Sequence, residues 1–333
     1  MEPAAPEPMM PLDAPLVAAA RRGDRAAFGA LYRRHARLVQ AVLLARRSAR
    51  GARRLPAWAY AAAAAVLLVA LTAALLARDS WRVETLAGSP SLGGVTFAGR
   101  VAMGGRIATD ARSRARLEVK GLGSVELEPG SVLRRVPGRG AERKLALDHG
   151  TLHAVITAPP RTFVVETPAG VATDLGCAYT LSVAADGHGR LAVTTGRVTF
   201  THGGFESFVP AGVWCPLSPE GVGVPRRDYA SAAFLAAIAA YDSAAAGDAA
   251  ALPAVLATAE PSDAITLWHL LPRVSREART RVAARMAELI GAPAEAPRER
   301  VLALEPAALD AWWAAIGMGP ADEWRAGPAK VRW

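Results

Sequence analysis

Apolar residues recur at helical spacing near the start of the chain: Phe28, Leu31, Tyr32, His35, Leu38, Val39 and Val42 follow the i, i+3, i+4, i+7 template. Asp24, just after Gly23, stands where an N-cap belongs, so the pattern predicts an amphipathic helix of about five turns reaching Arg47. A shorter helix is expected over 16–22. The lead 1–15, MEPAAPEPMMPLDAP, is rich in proline and poor in large apolar groups and reads as disordered. From Pro56 to Ala77 the periodicity gives way to 22 uncharged residues, PAWAYAAAAAVLLVALTAALLA, which as a helix at ~1.5 Å per residue reach ~33 Å. That length crosses a bilayer. Trp58 and Tyr60 at one end and Trp81 at the other suit the aromatic belts of its two interfaces.

Beyond residue 81 the period shortens to two. ARLEV (115–119), SVELE (124–128), TLHAVI (151–156), TFVVET (162–167), YTLSV (179–183), LAVTT (191–195) and RVTF (197–200) alternate or carry β-branched residues. Turn formers such as EPGS, PGRG, DHG, APPR, TPAG and ADGHG separate them. Many short strands without helices between them predict an all-β sandwich or solenoid. After Tyr229 the texture is helical. The clearest helix runs from a Ser275 N-cap to a stop at Gly291 and Pro293, with Val282, Met286, Leu289 and Ile290 on one face; Leu309, Trp312, Trp313 and Ile316 mark another. The chain is thus divided into a lead (1–15), basic amphipathic helices (16–55), a transmembrane helix (56–77), a β domain (82–225) and a C-terminal helical bundle (228–333).

Charge orients this plan. The chain carries +9 in all, but residues 1–55 hold eleven arginines against four acids, so nearly all of the excess sits there. Arg46, Arg47, Arg50, Arg53 and Arg54 precede the uncharged segment, whereas Arg78 and Arg82, with Asp79 between them, follow it. The positive-inside rule then places the N-terminus in the cytoplasm and the rest outside, in a single-pass topology. A cleaved signal peptide fits less well, because about 55 residues precede the apolar run.

The two cysteines, Cys177 and Cys215, fall on the far side, where oxidation is permitted; a structural disulfide and two buried thiols both remain open. Chemistry is otherwise sparse. Nucleophile-elbow, phosphate-loop and dinucleotide motifs are missing. His149 and His153 straddle a turn glycine, which is not the helical spacing of a zinc site, and His188 and His202 sit in glycine-rich turns expected to be exposed. Glu126 and Glu128 share one strand face and are expected to be solvated, and Asp174 in an apolar stretch is expected to cap a turn. The tryptophans Trp268, Trp312, Trp313 and Trp324 lie among Leu and Ile at helical spacing, the pattern of core rather than of a sugar platform. No catalytic residue, metal or cofactor is therefore expected, and the chain is not read as an enzyme.

LALDHGTLHAVI (145–156), PRTFVVETPAGVATDLGCAYTLSV (160–183), LAVTTGRVTF (191–200) and VPAGVWC (209–215) together resemble the FecR domain of bacterial membrane regulators, over roughly 82–225. The resemblance implies a periplasmic β domain on one membrane helix, whose short cytoplasmic part acts on an extracytoplasmic-function sigma factor. Cys177-Ala178-Tyr179 departs from the family's usual residues there. LVAAARRGDRAAFGALYRRHARLVQAV (16–42) instead is similar to the opening of region 2 of such sigma factors, without the helices that melt and read a promoter, so direct DNA binding is not expected. Nothing after 228 resembles the family's contact with an outer-membrane transducer.

The expected function is that of an inner-membrane signalling protein, an anti-sigma or sigma regulator. Phe28, Leu31, Tyr32, Leu38 and Val39 would meet a sigma factor or RNA polymerase, and the far side would meet an unidentified protein or ligand. Anionic lipid is the competing partner for the basic helix. The alternative is an envelope scaffold, in which the N-terminus only orients the chain.

Overall fold

The computed structural model describes residues 13–49, 64–68, 79–94, 96–97, 99–243 and 250–319. The chain divides into two compact units, Met1–Thr72 and Ala73–Trp333. Most of the lead, all of the expected membrane span but 64–68, and Trp58, Tyr60, Arg50, Arg53, Arg54 and Trp324 lie outside the described residues. Residues 64–68 are helical with Val66, Leu67 and Leu68 exposed. Among the described residues, no helix is long and apolar enough to cross a membrane.

In the first unit two helices, α1 (Ala14–Arg21) and α2 (Arg25–Ala49), are joined at Gly23, whose φ of +92° suits a residue without Cβ. Asp24 caps α2 as expected, accepting from Ala26 N at 2.8 Å and Ala27 N at 3.1 Å. Helix α1 starts two residues ahead of the expected position, with Asp13 before it and Pro15 in its first turn, the residues that favour a helix start.

The second unit is a large, mostly antiparallel β structure with helices after it. Its first strands are β1 (Trp81–Ala87), β2 (Ser91–Gly93), β3 (Thr96–Phe97), β4 (Arg100–Val101), β5 (Arg106–Ala108), β6 (Arg114–Val119), β7 (Gly123–Leu127) and β8 (Val132–Val136). Then come β9 (Arg143–Ile156), β10 (Phe163–Thr167), β11 (Gly170–Asp174), β12 (Ala178–Val183) and β13 (Gly189–Thr195). The last are β14 (Arg197–His202), β15 (Phe205–Pro210), β16 (Val213–Ser218), β17 (Gly221–Val222) and β18 (Arg226–Arg227). All expected strands are present. What differs is the Asp148-His149-Gly150 turn, which is not a break between strands but a bend inside β9.

That bend organises the sheet. Before it, β9 lies between β8 and β10, in a ladder β2–β5–β8–β9–β10–β11–β14–β15. After it, β9 lies between β7 and β12, in a ladder β1–β6–β7–β9–β12–β13–β16. Only β9 with β10 is parallel among the described pairings, so the rungs are hairpin-linked rather than stacked as in a parallel solenoid. At the crossing, the register of β8 against β9 shifts at Asp148, a bulge, and Gly150 takes φ +103°. A Cβ on Gly150 would lie 2.3 Å from the Cα of Ser131. Leu145 and Leu147 before the bend and Leu152 and Ala154 after it are all buried in one apolar cluster.

Strands β6, β12 and β16 bury every second residue, as one-sided strands do. Strands β14 and β15 instead bury consecutive residues, because the C-terminal helices cover them. These are α3 (Ala232–Ser243), α4 (Leu252–Thr258), α5 (Ala264–Leu270), α6 (Arg276–Ile290), α7 (Arg298–Leu302) and α8 (Pro306–Ala315). Ser275 caps α6 by accepting from Ala278 N, and Gly291 ends it, both as the sequence predicts. Helix α5 is buried all round. Its Trp268 donates Nε1–H to Leu309 O at 3.0 Å and packs 4.9 Å from Trp313, which in turn meets Phe208 of β15 edge-on at 6.0 Å. These indoles are core, as expected.

Polar groups lock the same contact. His269 of α5 accepts from Phe208 N of β15 through Nε2 at 3.2 Å, and its Nδ1 lies 2.8 Å from Ile265 O, to which it donates. Arg273 donates to Val222 O at 2.8 Å and to Ser207 Oγ at 2.5 Å. Arg226 pairs with Asp242 of α3, whose other oxygen accepts from Val224 N. At the start of the unit, Arg135 pairs with Asp79 at 2.7 Å and lays its guanidinium 4.3 Å from the Trp81 ring centre. Trp81 is 2% exposed. Its expected place in an interfacial belt is therefore corrected: the ring belongs to the core, held under Arg135.

Two outcomes follow. Gly150→Val should destabilise the second unit by on the order of 3 kcal/mol in denaturant unfolding, from positive φ and overlap with Ser131, while Gly121→Asn, in open space, should cost far less. Burial lowers the His269 pKa from 6.5 to about 3, so the fold holds the neutral ring and stability is lost as pH falls through that window. Relative to His269→Gln, the native chain should lose about 3 kcal/mol between pH 7.5 and pH 4.

Candidate functional site

The hairpin of α1 and α2 is fixed by one buried carboxylate. Asp13, 4% exposed, accepts from Arg34 Nη1 at 3.0 Å through Oδ1, and its Oδ2 lies 2.9 Å from His35 Nε2. Asp13 and Asp24 are the two acids between residues 13 and 49, and both are spent inside the hairpin. The outer surface is left to arginine: Arg25, Arg33 and Arg37 are exposed.

The five residues expected to contact a partner separate on this scaffold. Phe28 and Tyr32, one turn apart, are 65% and 50% exposed. Leu31 is half-buried, together with His35 on the side that Asp13 holds. The side chains of Leu38 and Val39 lie outside the described residues, although both positions belong to α2. Arg46 and Arg47 are likewise helical positions of α2. Within the described residues, the open apolar surface of the hairpin is thus Phe28 and Tyr32. The Asp13 clamp escaped sequence reading because Asp13 was assigned to the lead; the signal was Asp-Ala-Pro ahead of an apolar run, a helix-start pattern.

Cys177 and Cys215 are two separate buried thiols. Strand β13 lies between them: Ala178, next to Cys177, pairs with Thr195 on one side, and Cys215 pairs with Leu191 on the other. Cys177 lies one residue beyond Ala178, beside Gly196, so five residues along and two strand spacings across put the thiols' residues ~16 Å and ~10 Å apart in the two directions, beyond the reach of a disulfide. Asp174 caps its turn as expected, accepting from Gly176 N at 2.6 Å, and also accepts the Cys177 thiol proton. Burial raises the Asp174 pKa to about 6 and raises that of Cys177, with the Asp174 charge adding to the latter. Burial lifts Cys215 to about 12, and its thiol donates to Gly223 O at 3.1 Å. Neither is a poised nucleophile.

Several histidines and acids of the sheet are tied to residues on neighbouring strands. Arg116 reaches Glu126 at 2.6 Å and Arg114 reaches Glu128 at 2.5 Å. His153 lies 3.2 Å from Glu128 and 2.8 Å from Thr180, on neighbouring strands. His202, expected to be exposed, is half-buried with Nδ1 2.7 Å from Ala169 O. Among the described residues, no group of three His, Cys, Asp or Glu could hold a metal ion.

Comparison with known proteins bears on the β structure. Residues 105–199 match the family described as FecR protein. This stretch is a FecR domain. The match runs from β5 into β14, so the FecR domain includes the bent strand β9, while the sheet extends past it at both ends to Trp81 and Arg227. Two crystal structures of a candidate anti-sigma factor from Parabacteroides distasonis ATCC 8503, at 1.65 and 2.50 Å resolution, are similar over 40% of this chain, with 14% identity and a TM-score of 0.33. The chain spans 63% and 62% of their lengths. No curated protein matches the chain.

The thiol geometry can be checked directly. An aromatic disulfide reagent should modify neither cysteine in the native chain and both after unfolding, and reducing agent should leave the unfolding midpoint unchanged. A bridged pair would instead leave the unfolded chain unreactive until reduced.

Proposed function

We propose that the chain is a single-pass regulator of the bacterial inner membrane. Its N-terminal hairpin lies in the cytoplasm, and its FecR domain and helical tail lie in the periplasm. In this reading the far side binds a protein or ligand, and the hairpin passes the signal to a sigma factor or to RNA polymerase. The supporting observation is the placement of the Phe28–Tyr32 face. It sits on a clamped hairpin ahead of an arginine-rich stretch and an uncharged run of 22 residues, with the FecR domain following.

Burying two aromatic side chains, each contributing roughly 1.5 to 3 kcal/mol, brings a reversible micromolar contact within reach once flanking residues add to it. The far-side structure suits a role in binding rather than turnover. Its polar residues pair with one another across strands, and its helical tail is locked to the sheet.

The decisive experiment is a bacterial two-hybrid assay of residues 1–55 against the sigma factor encoded nearest to this chain. Phe28→Asp and Tyr32→Asp should each abolish the signal, while Ala41→Asp, at an exposed position elsewhere on α2, should keep it. Full binding by both aromatic variants would overturn the reading. Deleting residues 1–45 from the full chain should alter transcription; a change confined to envelope assembly would favour a scaffold.

A further inference from the structure

We propose that the Phe28–Tyr32 face of α2 docks on the anionic surface of the same membrane, so that lipid and the cytoplasmic partner compete for one surface. This rests on the cytoplasmic placement proposed above and adds a regulated state to it.

Charge is the first support. Helix α2 carries six arginines and no Asp or Glu along its 25 residues. The two acids near it offset only part of that charge, Asp13 by pairing with Arg34 and Asp24 at the helix cap, so residues 13–49, with eight arginines against two acids, keep a net charge of +6. A surface of this kind is attracted to any anionic plane, and the attraction decays within a Debye length.

Reach is the second. Only residues 50–55 separate the end of α2 from the uncharged run that begins at Pro56, and three of those six are arginine. Six residues span at most ~21 Å, so one end of α2 cannot leave the membrane surface by more than that. A tether of this length turns lipid binding into an intramolecular step with a high effective concentration. The third support is the kind of apolar group exposed. Phe28 and Tyr32 stand one turn apart with Arg25 and Arg33 exposed beside them, the mixture of rings and cations that settles at a headgroup boundary.

The test uses the full chain in lipid nanodiscs of phosphatidylcholine, with or without phosphatidylglycerol. Cys177 and Cys215 are buried, so a spin label placed at Tyr32→Cys or at Ala41→Cys reports one position alone. With anionic lipid, the label at 32 should be relaxed more by oxygen than by a water-soluble nickel complex, and the label at 41 should show the reverse. In phosphatidylcholine alone both should be aqueous. Partner affinity should be about tenfold weaker in the anionic discs, equivalent to ~1.4 kcal/mol.

An aqueous label at 32 in anionic discs overturns the proposal while leaving partner binding intact. An immersed label with no partner binding in either disc supports docking on lipid but overturns the sigma-factor reading and, with it, the competition. A chain that enters neither disc overturns both.

Discussion

The crossing of β9 at Gly150 is the constraint on which the β structure depends. One strand supplies the centre of two ladders, so any error in its path would misplace β8 and β10 on one side and β7 and β12 on the other. Because side chains alternate along a strand, the path must also keep the buried face buried. Leu145 and Leu147 point into the core before the bend, Leu152 and Ala154 after it, and the bulged Asp148 absorbs the odd residue between the two sets. Glycine at 150 then allows the positive φ and the close approach of Ser131, whose Oγ accepts from Thr151 N at 2.9 Å. A local backbone requirement thereby sets the global register.

The helical tail completes what the sheet leaves open. Strand β15 buries Phe208 and Val209 on opposite faces, and β14 buries Thr199 opposite Val198 and Phe200, so this part of the sheet must be covered on both sides. Phe208, Trp268 and Trp313 supply the apolar contact, while His269, Arg273 and Arg226 satisfy polar groups that the contact would otherwise bury without partners. The hydrogen bond from Phe208 N to His269 matters most in that respect, since a buried backbone donor left unpaired costs about as much as the bond itself contributes. The FecR domain proper ends within β14, so this covering layer lies beyond the matched stretch.

Much of this was legible in the sequence, for reasons specific to each element. The Ser275 and Gly291 signals bounded α6 because both act through the local backbone; alternation marked strands such as β6 and β12 because each buries one face, whereas β10 and β14, which bury consecutive residues, were marked by their β-branched content. The Asp-His-Gly stretch was misread as a turn because a bulge and a hairpin use the same residues, and only the neighbours of β9 distinguish them. Trp81 was misassigned because a tryptophan beside an apolar run suits a membrane boundary, and its real partner, Arg135, is 54 positions away. In the hairpin, Phe28 and Leu31 both belong to the apolar stripe. Which of them faces outward depends on the Asp13 clamp, and a stripe alone does not reveal a clamp.

Asp174 and His269 give the second unit an acid response that opposes itself. Asp174 is held protonated to about pH 6 against 3.8 for the ordinary carboxyl, so the folded state binds the extra proton and its contribution to stability falls as pH rises through that interval. His269 is held neutral down to about pH 3 against 6.5, so the unfolded state binds the extra proton and its contribution rises with pH over nearly the same interval. The two slopes have opposite sign and overlapping ranges, and their sum is flatter than either. The bent strand and covering helices would thereby stay in place over a pH range in which a domain with either group alone would loosen. On the function proposed here, that steadiness favours a signal carried by binding at the domain surface over one carried by titration of its core.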